Sequence, residues 1–160
     1  MSETPGKTEV SASPQPGTNL WSLTVICAMA WILPGLGHFL LKRPKRALTF
    51  MFSILFLFFW GLSLGAKIYH FEAHQPLTFF AMIAQLGMGI SYFLTRLISV
   101  YAQNHPDSVF YGFAEKFQFG EGALDQLSFE YGNTFAIVAG LLNFLVILDA
   151  HDIAVGKKKG

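Results

Sequence analysis

The stretch ALTFMFSILFLFFWGLSLGA, residues 47–66, carries no charged side chain and is built largely of Leu, Phe, Ile and Met, with Trp60 toward one end. A helix rises 1.5 Å per residue, so roughly 20 such residues cross the hydrocarbon core of a bilayer. The stretch reads as a transmembrane helix. Working outward, Leu20–Leu41 precedes it across a basic turn, Pro76–Thr95 follows a polar connection at Lys67–Gln75, and Tyr131–Leu148 lies between Glu130 and Asp149. Lipid cannot hydrogen-bond exposed main chain, and these runs lack the two-residue alternation of an outer-membrane barrel, so each run is helical. The expected fold class is all-α integral membrane, with four transmembrane helices over about 20–41, 47–68, 76–98 and 131–150, the first of them kinked.

The composition agrees, being 52% hydrophobic and 13% charged with mean hydropathy +0.44, too apolar for a surface facing water on all sides. A net charge of +1 leaves no excess positive field for nucleic acid, which is excluded as a partner. Cys27 cannot close an internal disulfide and reads as a small hydrophobe. Residues 1–19, rich in Ser, Thr, Pro and Gly, read as a disordered tail ahead of a 20–154 membrane domain, and 155–160 as a basic C-terminal tail. The first apolar run starts too late for a secretory signal and has no basic residue directly ahead of it, while Ser2 excludes N-myristoylation. Ser99–Glu130 is too polar to span. Within it Val109, Phe110, Phe113 and Phe117 fall at helical spacing, with Glu115, Lys116 and Gln118 on other faces. This predicts an amphipathic connection lying at the interface, or else a loop that caps the bundle.

The most distinctive segment is LPGLGHFLLKRPKR, residues 33–46. Pro34 removes a helical hydrogen bond, and Gly35 and Gly37 let the backbone bend, so the first run should kink or break here. It is no dinucleotide fingerprint, because position 40 is Leu40 rather than glycine and no strand precedes it. A Pro-Gly-x-Gly-His or Gln segment, aromatics, a basic turn and a second span recur in small bacterial membrane proteins, some of them distant relatives of the TM-two domain. With Gly132-Asn133-Thr134-Phe135, Ala139-Gly140-Leu141-Leu142-Asn143 and Leu148–Ala154, the chain from Leu20 onward resembles an uncharacterised bacterial domain-of-unknown-function family of four-helix membrane proteins. That resemblance implies a four-helix membrane fold and brings no activity with it. The chain departs from the TM-two pattern in its four spans and in lacking an acidic-Arg-Phe turn.

His38, an ionisable group inside an apolar run, reads as a ligand or proton relay, or as a partner for a carbonyl freed by Pro34. Gly61 with Gly65, Gly132 with Ala136 and Gly140, and Ala81 with Gln85 and Gly89 form small-residue stripes where helices meet, within one chain or between copies. Gln85 and Asn143 lie deepest in the third and fourth runs and are expected to bond to each other, with a pore lining as the alternative. His70 and His74, one helical turn apart, would share a membrane surface with Asp149, His151 and Asp152 if four spans hold, making His70, His74, Asp149 and His151 candidate ligands for zinc, iron or manganese. The alternative there is a solvated polar rim.

No nucleophile stands with a base, no nucleotide loop is present, and no paired carboxylates suit acid and base chemistry. The expected function is therefore that of a non-enzymatic accessory or scaffold protein, multi-pass in a bacterial inner membrane. It needs no cofactor and meets the lipid bilayer, other membrane proteins and, through the small-residue seams, further copies of itself. A metal-assisted membrane enzyme and a small transporter component are the alternatives. Four crossings would set both termini and Lys67–Gln75 opposite the Lys42–Arg46 turn and Ser99–Glu130, dividing the basic residues five to six. Weight on the first helix puts the Lys42–Arg46 turn in the cytoplasm.

Overall fold

The computed structural model describes residues 20–69, 76–115 and 127–157. Their regular structure is helical throughout: α1 Leu20–Ile32, α2 Leu36–Leu40, α3 Pro44–Ser63, α4 Pro76–Leu86, α5 Ile90–Asn104, α6 Val109–Glu115 and α7 Leu127–Ala154. The N-terminal tail, His70 and His74, Phe117 and the last residues of the C-terminal tail lie outside the described residues.

Two helices are long and apolar enough to cross a membrane, α3 and residues Ser128–Ala154 of α7. Pro44 opens α3, where its missing N–H has no intrahelical role. The helix closes when the N–H groups of Gly65 and Ala66 turn back to Leu62 O and Gly61 O, at 2.9 and 3.1 Å. Gly65 thus ends α3 rather than extending a packing stripe, and the second run leaves the helix at Ser63, short of the expected residue 68. Beyond it Ala66–Tyr69 has no regular structure, although Ala66 and Ile68 are buried. α3 and α7 run antiparallel. A Cβ on Gly61 would lie 2.7 Å from Gly132 O and 2.9 Å from Ala136 N, so the backbones cross almost in contact near the end of α3 and the start of α7.

The other two apolar runs are divided. α1 has 13 residues, a length of about 20 Å at 1.5 Å per residue, too short to cross. The chain turns at Leu33–Gly35 and α2 folds back on α1, for a Cβ on Gly37 would lie 2.8 Å from Ala30 Cβ, 3.2 Å from Ile26 O and 3.1 Å from Ala150 Cβ. Gly35 makes the turn with φ 85° and abuts Ala47 O of α3, a conformation and an approach that a side chain would oppose. The expected third span is bent by 115° between α4 and α5. Gly89 sits there at φ 58°, ψ −127°, a region open to glycine alone, and abuts Trp31 O. By length and composition the described chain supplies two spans, or three if α4 and α5 count as one.

The contacts fix directions. Ile26 and Gly37 lie by Ala150 while Ala30 O accepts from Asn143 Nδ2 at 3.3 Å, so α1 runs against α7. Ala84 meets Gly140 and Gly87 O accepts from Asn143 Nδ2 at 2.7 Å, so α4 runs with α7. Two helical hairpins therefore come in from opposite ends and touch beside Gly140 and Asn143, midway along α7. Each half of the chain repeats the scheme of a short helix, a Gly-x-Gly turn (Gly35-Leu36-Gly37, then Gly87-Met88-Gly89), a returning helix and a long helix, in inverted directions. Sidedness changes with it. The start of α3 and the end of α7 share one end, whereas four crossings would set the Lys42–Arg46 turn opposite the C terminus.

α5 is built inside out, burying Ser91, Thr95 and Ser99 and exposing Phe93, Leu94 and Leu97. That polarity suits an apolar solvent. α6 takes the helical form expected around Val109 and Phe110, both exposed.

Candidate functional site

The Pro34–His38 segment converges with the end of α7. The Gly35 turn aims α2 into the angle between α3 and α7, and Gly37, lacking a side chain, lets α2 come down on Ala150. His38 is carried inward and is fully buried. Its Nε2 lies 3.0 Å from Asp149 Oδ2, a carboxylate 20% exposed, and the Phe50 ring meets the imidazole edge-on with centroids 5.1 Å apart. Nε2–H donates to the carboxylate, and Nδ1 is the ring's second polar atom. Nδ1 is buried and has no hydrogen-bond partner. The expected alternative, a bond from His38 to a carbonyl freed by Pro34, is replaced by this pairing. The carbonyl that Pro34 leaves without its helical donor is Ala30 O, and it accepts instead from Asn143 Nδ2 at 3.3 Å.

Other candidate residues are distributed differently. Gln85 and Asn143 do not bond to each other as expected. The Gln85 amide donates to Lys67 O at 2.9 Å and accepts from Tyr69 N at 3.0 Å, while Asn143 donates to Ala30 O and Gly87 O. The physical reason is that each helix break leaves main-chain groups that lipid cannot satisfy, and a carboxamide within reach satisfies them. Asn133 does the same, accepting from Lys67 N at 2.7 Å, as do Trp31 Nε1 toward Leu86 O and Tyr92 Oη toward Tyr69 O. Sequence reasoning misses these structural roles of Asn133, Trp31 and Tyr92. Their signal in the sequence is a polar atom placed near a Gly-rich interruption of an apolar run. Asn143 Oδ1 remains buried without a partner.

Gly132, Ala136 and Gly140 all lie on the buried side of α7, against Gly61 and Ala84. Of the proposed metal ligands, Asp149 faces His38, His151 Nδ1 lies 3.5 Å from its neighbour Asp152, and His70 and His74 fall outside the described residues. Among the described residues no three His, Cys, Asp or Glu side chains gather closely enough to hold a metal ion.

With this geometry in view, comparison with known proteins gives one match. The model described as Family of unknown function (DUF6677) covers residues 25–159. The chain belongs to that family. The match takes in both hairpins and both long helices, and DUF6677 is the kind of uncharacterised family that the Pro34–His38 and Gly132–Ala154 segments suggest. No curated protein and no solved structure matches the chain.

Proposed function

We propose that this DUF6677 protein is a multi-pass protein of the bacterial inner membrane with a non-enzymatic accessory or scaffold role, in which α3 and α7 cross the bilayer and the hairpins enter from opposite faces to half depth. One observation carries the reading. Where the hairpin tips touch, Gly89 abuts Trp31 O and the polar side chains Trp31, Gln85 and Asn143 all bond to main chain. An interior tied together in this way acts as a rigid plug, and association falls to outward surfaces such as the α5–α6 crevice of Leu97, Ile98, Tyr101 and Phe110.

The shared end of α3 and α7 supports an orientation. Lys42, Arg43, Lys45, Arg46 and Lys157 lie at it and Lys158 and Lys159 follow Lys157 directly in sequence, whereas Lys67 and Arg96 are the described basic residues away from it. That end faces the cytoplasm. Cross-linking in native membranes, followed by purification in mild detergent and mass spectrometry, tests the scaffold role. A protein partner recovered in fixed stoichiometry is expected, and its absence from several growth conditions would count against the reading.

A small transporter component is the second reading, favoured by the buried His38 with a free Nδ1 and by the inverted halves, an arrangement common in transporters. Proton flux in proteoliposomes that His38→Gln abolishes would put this reading first.

A further inference from the structure

We propose that the outer face of α3 binds an anionic phospholipid, its headgroup on the Lys42–Arg46 turn and an acyl chain along the helix. Leu48, Phe52, Phe56, Phe59, Trp60 and Ser63 recur at helical spacing and line an open apolar furrow of about 710 Å³. The furrow continues at its upper end into a crevice between α2 and α3, lined by Gly35, Leu36 and Phe39, and the two share Leu48 and Met51. Lys45 stands one turn before Leu48 on the same helical stripe. Lys42, Lys45 and Arg46 are exposed there, and no acidic residue lies between Leu20 and Tyr69. Four basic residues therefore mark the Lys42–Arg46 end of the furrow, against the single Lys67 beyond Ser63 at the other, so that positive charge is concentrated where a lipid headgroup would sit.

The face suits an acyl chain better than a partner helix. Helices associate in lipid through small residues that let backbones approach, and the one glycine of α3, Gly61, is already against α7. The furrow face carries large side chains instead, with Phe52, Phe56 and Trp60 stacked in sequence at 6.0 and 5.5 Å. Ser63 Oγ donates to its own helix, so its hydrogen is not left for a partner. From Leu48 to Ser63 the furrow rises about 22 Å, long enough to follow an acyl chain through one leaflet of a core roughly 30 Å thick. The site is independent of any scaffold or transport role and depends only on the chain lying in a bilayer.

The test uses the full chain in mild detergent, mixed with phosphatidylglycerol or phosphatidylcholine of identical acyl chains and examined by native mass spectrometry. Phosphatidylglycerol should be retained more strongly, by about five-fold for each basic residue engaged. Replacing Lys42, Arg43, Lys45 and Arg46 by Gln should bring the ratio to about one, while Lys157→Gln leaves it unchanged. A second measurement needs no change to the turn: brominated phosphatidylglycerol should quench tryptophan emission more than brominated phosphatidylcholine, and the difference should vanish in Trp60→Phe. Equal retention of both lipids, a preference that survives the four-residue variant, or quenching indifferent to Trp60 would overturn the proposal. So would a second copy or another protein cross-linked to Phe52→Cys in place of lipid.

Discussion

His38 Nε2 and Asp149 Oδ2 meet at 3.0 Å across 111 residues of sequence, tying the short helix α2 to the last turns of α7. The contact joins the two inverted halves of the chain at the end where α3 begins. Removing one partner leaves the other in a largely dry site, which costs more than the pair itself contributes. Asp149→Ala should therefore lower stability by about 1–3 kcal/mol. His38→Phe combined with Asp149→Leu should cost less than the sum of His38→Phe and Asp149→Leu alone, because the buried imidazole and the carboxylate then leave together. Thermal unfolding in detergent of the two single variants and the double variant measures this, and strictly additive losses would show that the two residues do not interact.

The turn glycines should differ sharply from an open one. Ala at Gly35 or Gly89 meets Ala47 O or Trp31 O in a backbone conformation already unfavourable to a side chain. Each variant should lose well over about 2 kcal/mol, or fail to accumulate, through strain and overpacking. A methyl group placed on Gly112 of α6 would meet nothing within 4 Å, and Gly112→Ala should stabilise by up to about 1 kcal/mol through helix propensity. Expression level and melting temperature of the three variants decide it, and equal behaviour would deny the turns their role.

Lys42 adopts φ 57°, the left-handed conformation, where α2 hands over to α3. Arg43 N bonds His38 O at 2.9 Å and Lys42 N bonds Phe39 O at 3.0 Å, the bonding that usually places glycine at this point. Lys42→Gly should raise stability by roughly 0.5–1 kcal/mol, relief of the left-handed strain outweighing the added freedom of the unfolded chain. A fall in melting temperature would contradict the assignment of this turn.

Gln85 bridges Lys67 O and Tyr69 N, closing the irregular segment behind α3. Gln85→Leu should cost about 1–3 kcal/mol by leaving buried main-chain groups unsatisfied. The loss should be localised, with hydrogen exchange accelerating at Lys67–Tyr69 before it does in α3 or α7. Uniform acceleration would mean that Gln85 supports the bundle as a whole.

The apolar run at 47–66 and the one at 131–148 disclose their helices because length and hydropathy report directly on a long buried or lipid-facing helix. The same measures are blind to a reversal. Leu20–Leu41 is as apolar as a full span, and nothing in its hydropathy separates one crossing from a helix that ends at Ile32 and folds back. The marker that does so is Gly35 at positive φ, which a sequence reading sees as a kink or a break but not as a reversal. Gly89 falls in register with Ala81 and Gln85, as a packing stripe would, yet it makes the second turn, and the matching Gly-x-Gly triplets at 35–37 and 87–89 are the sign of it. His38 and Asp149 both stand out as ionisable groups in or beside apolar runs. Four-crossing parity sets them at opposite ends, and so hides their pairing.

Which end of the molecule each basic cluster occupies can be measured directly. With Cys27→Ala as background, Lys45→Cys and Lys157→Cys variants can be treated in spheroplasts with a membrane-impermeant maleimide, before and after permeabilisation. The proposed topology, with two crossing helices and two half-depth hairpins, puts both positions at one cytoplasmic end, so both should stay unlabelled in intact spheroplasts and both should label once the membrane is opened. Labelling of one position but not the other in intact spheroplasts, as four crossings require, would contradict it.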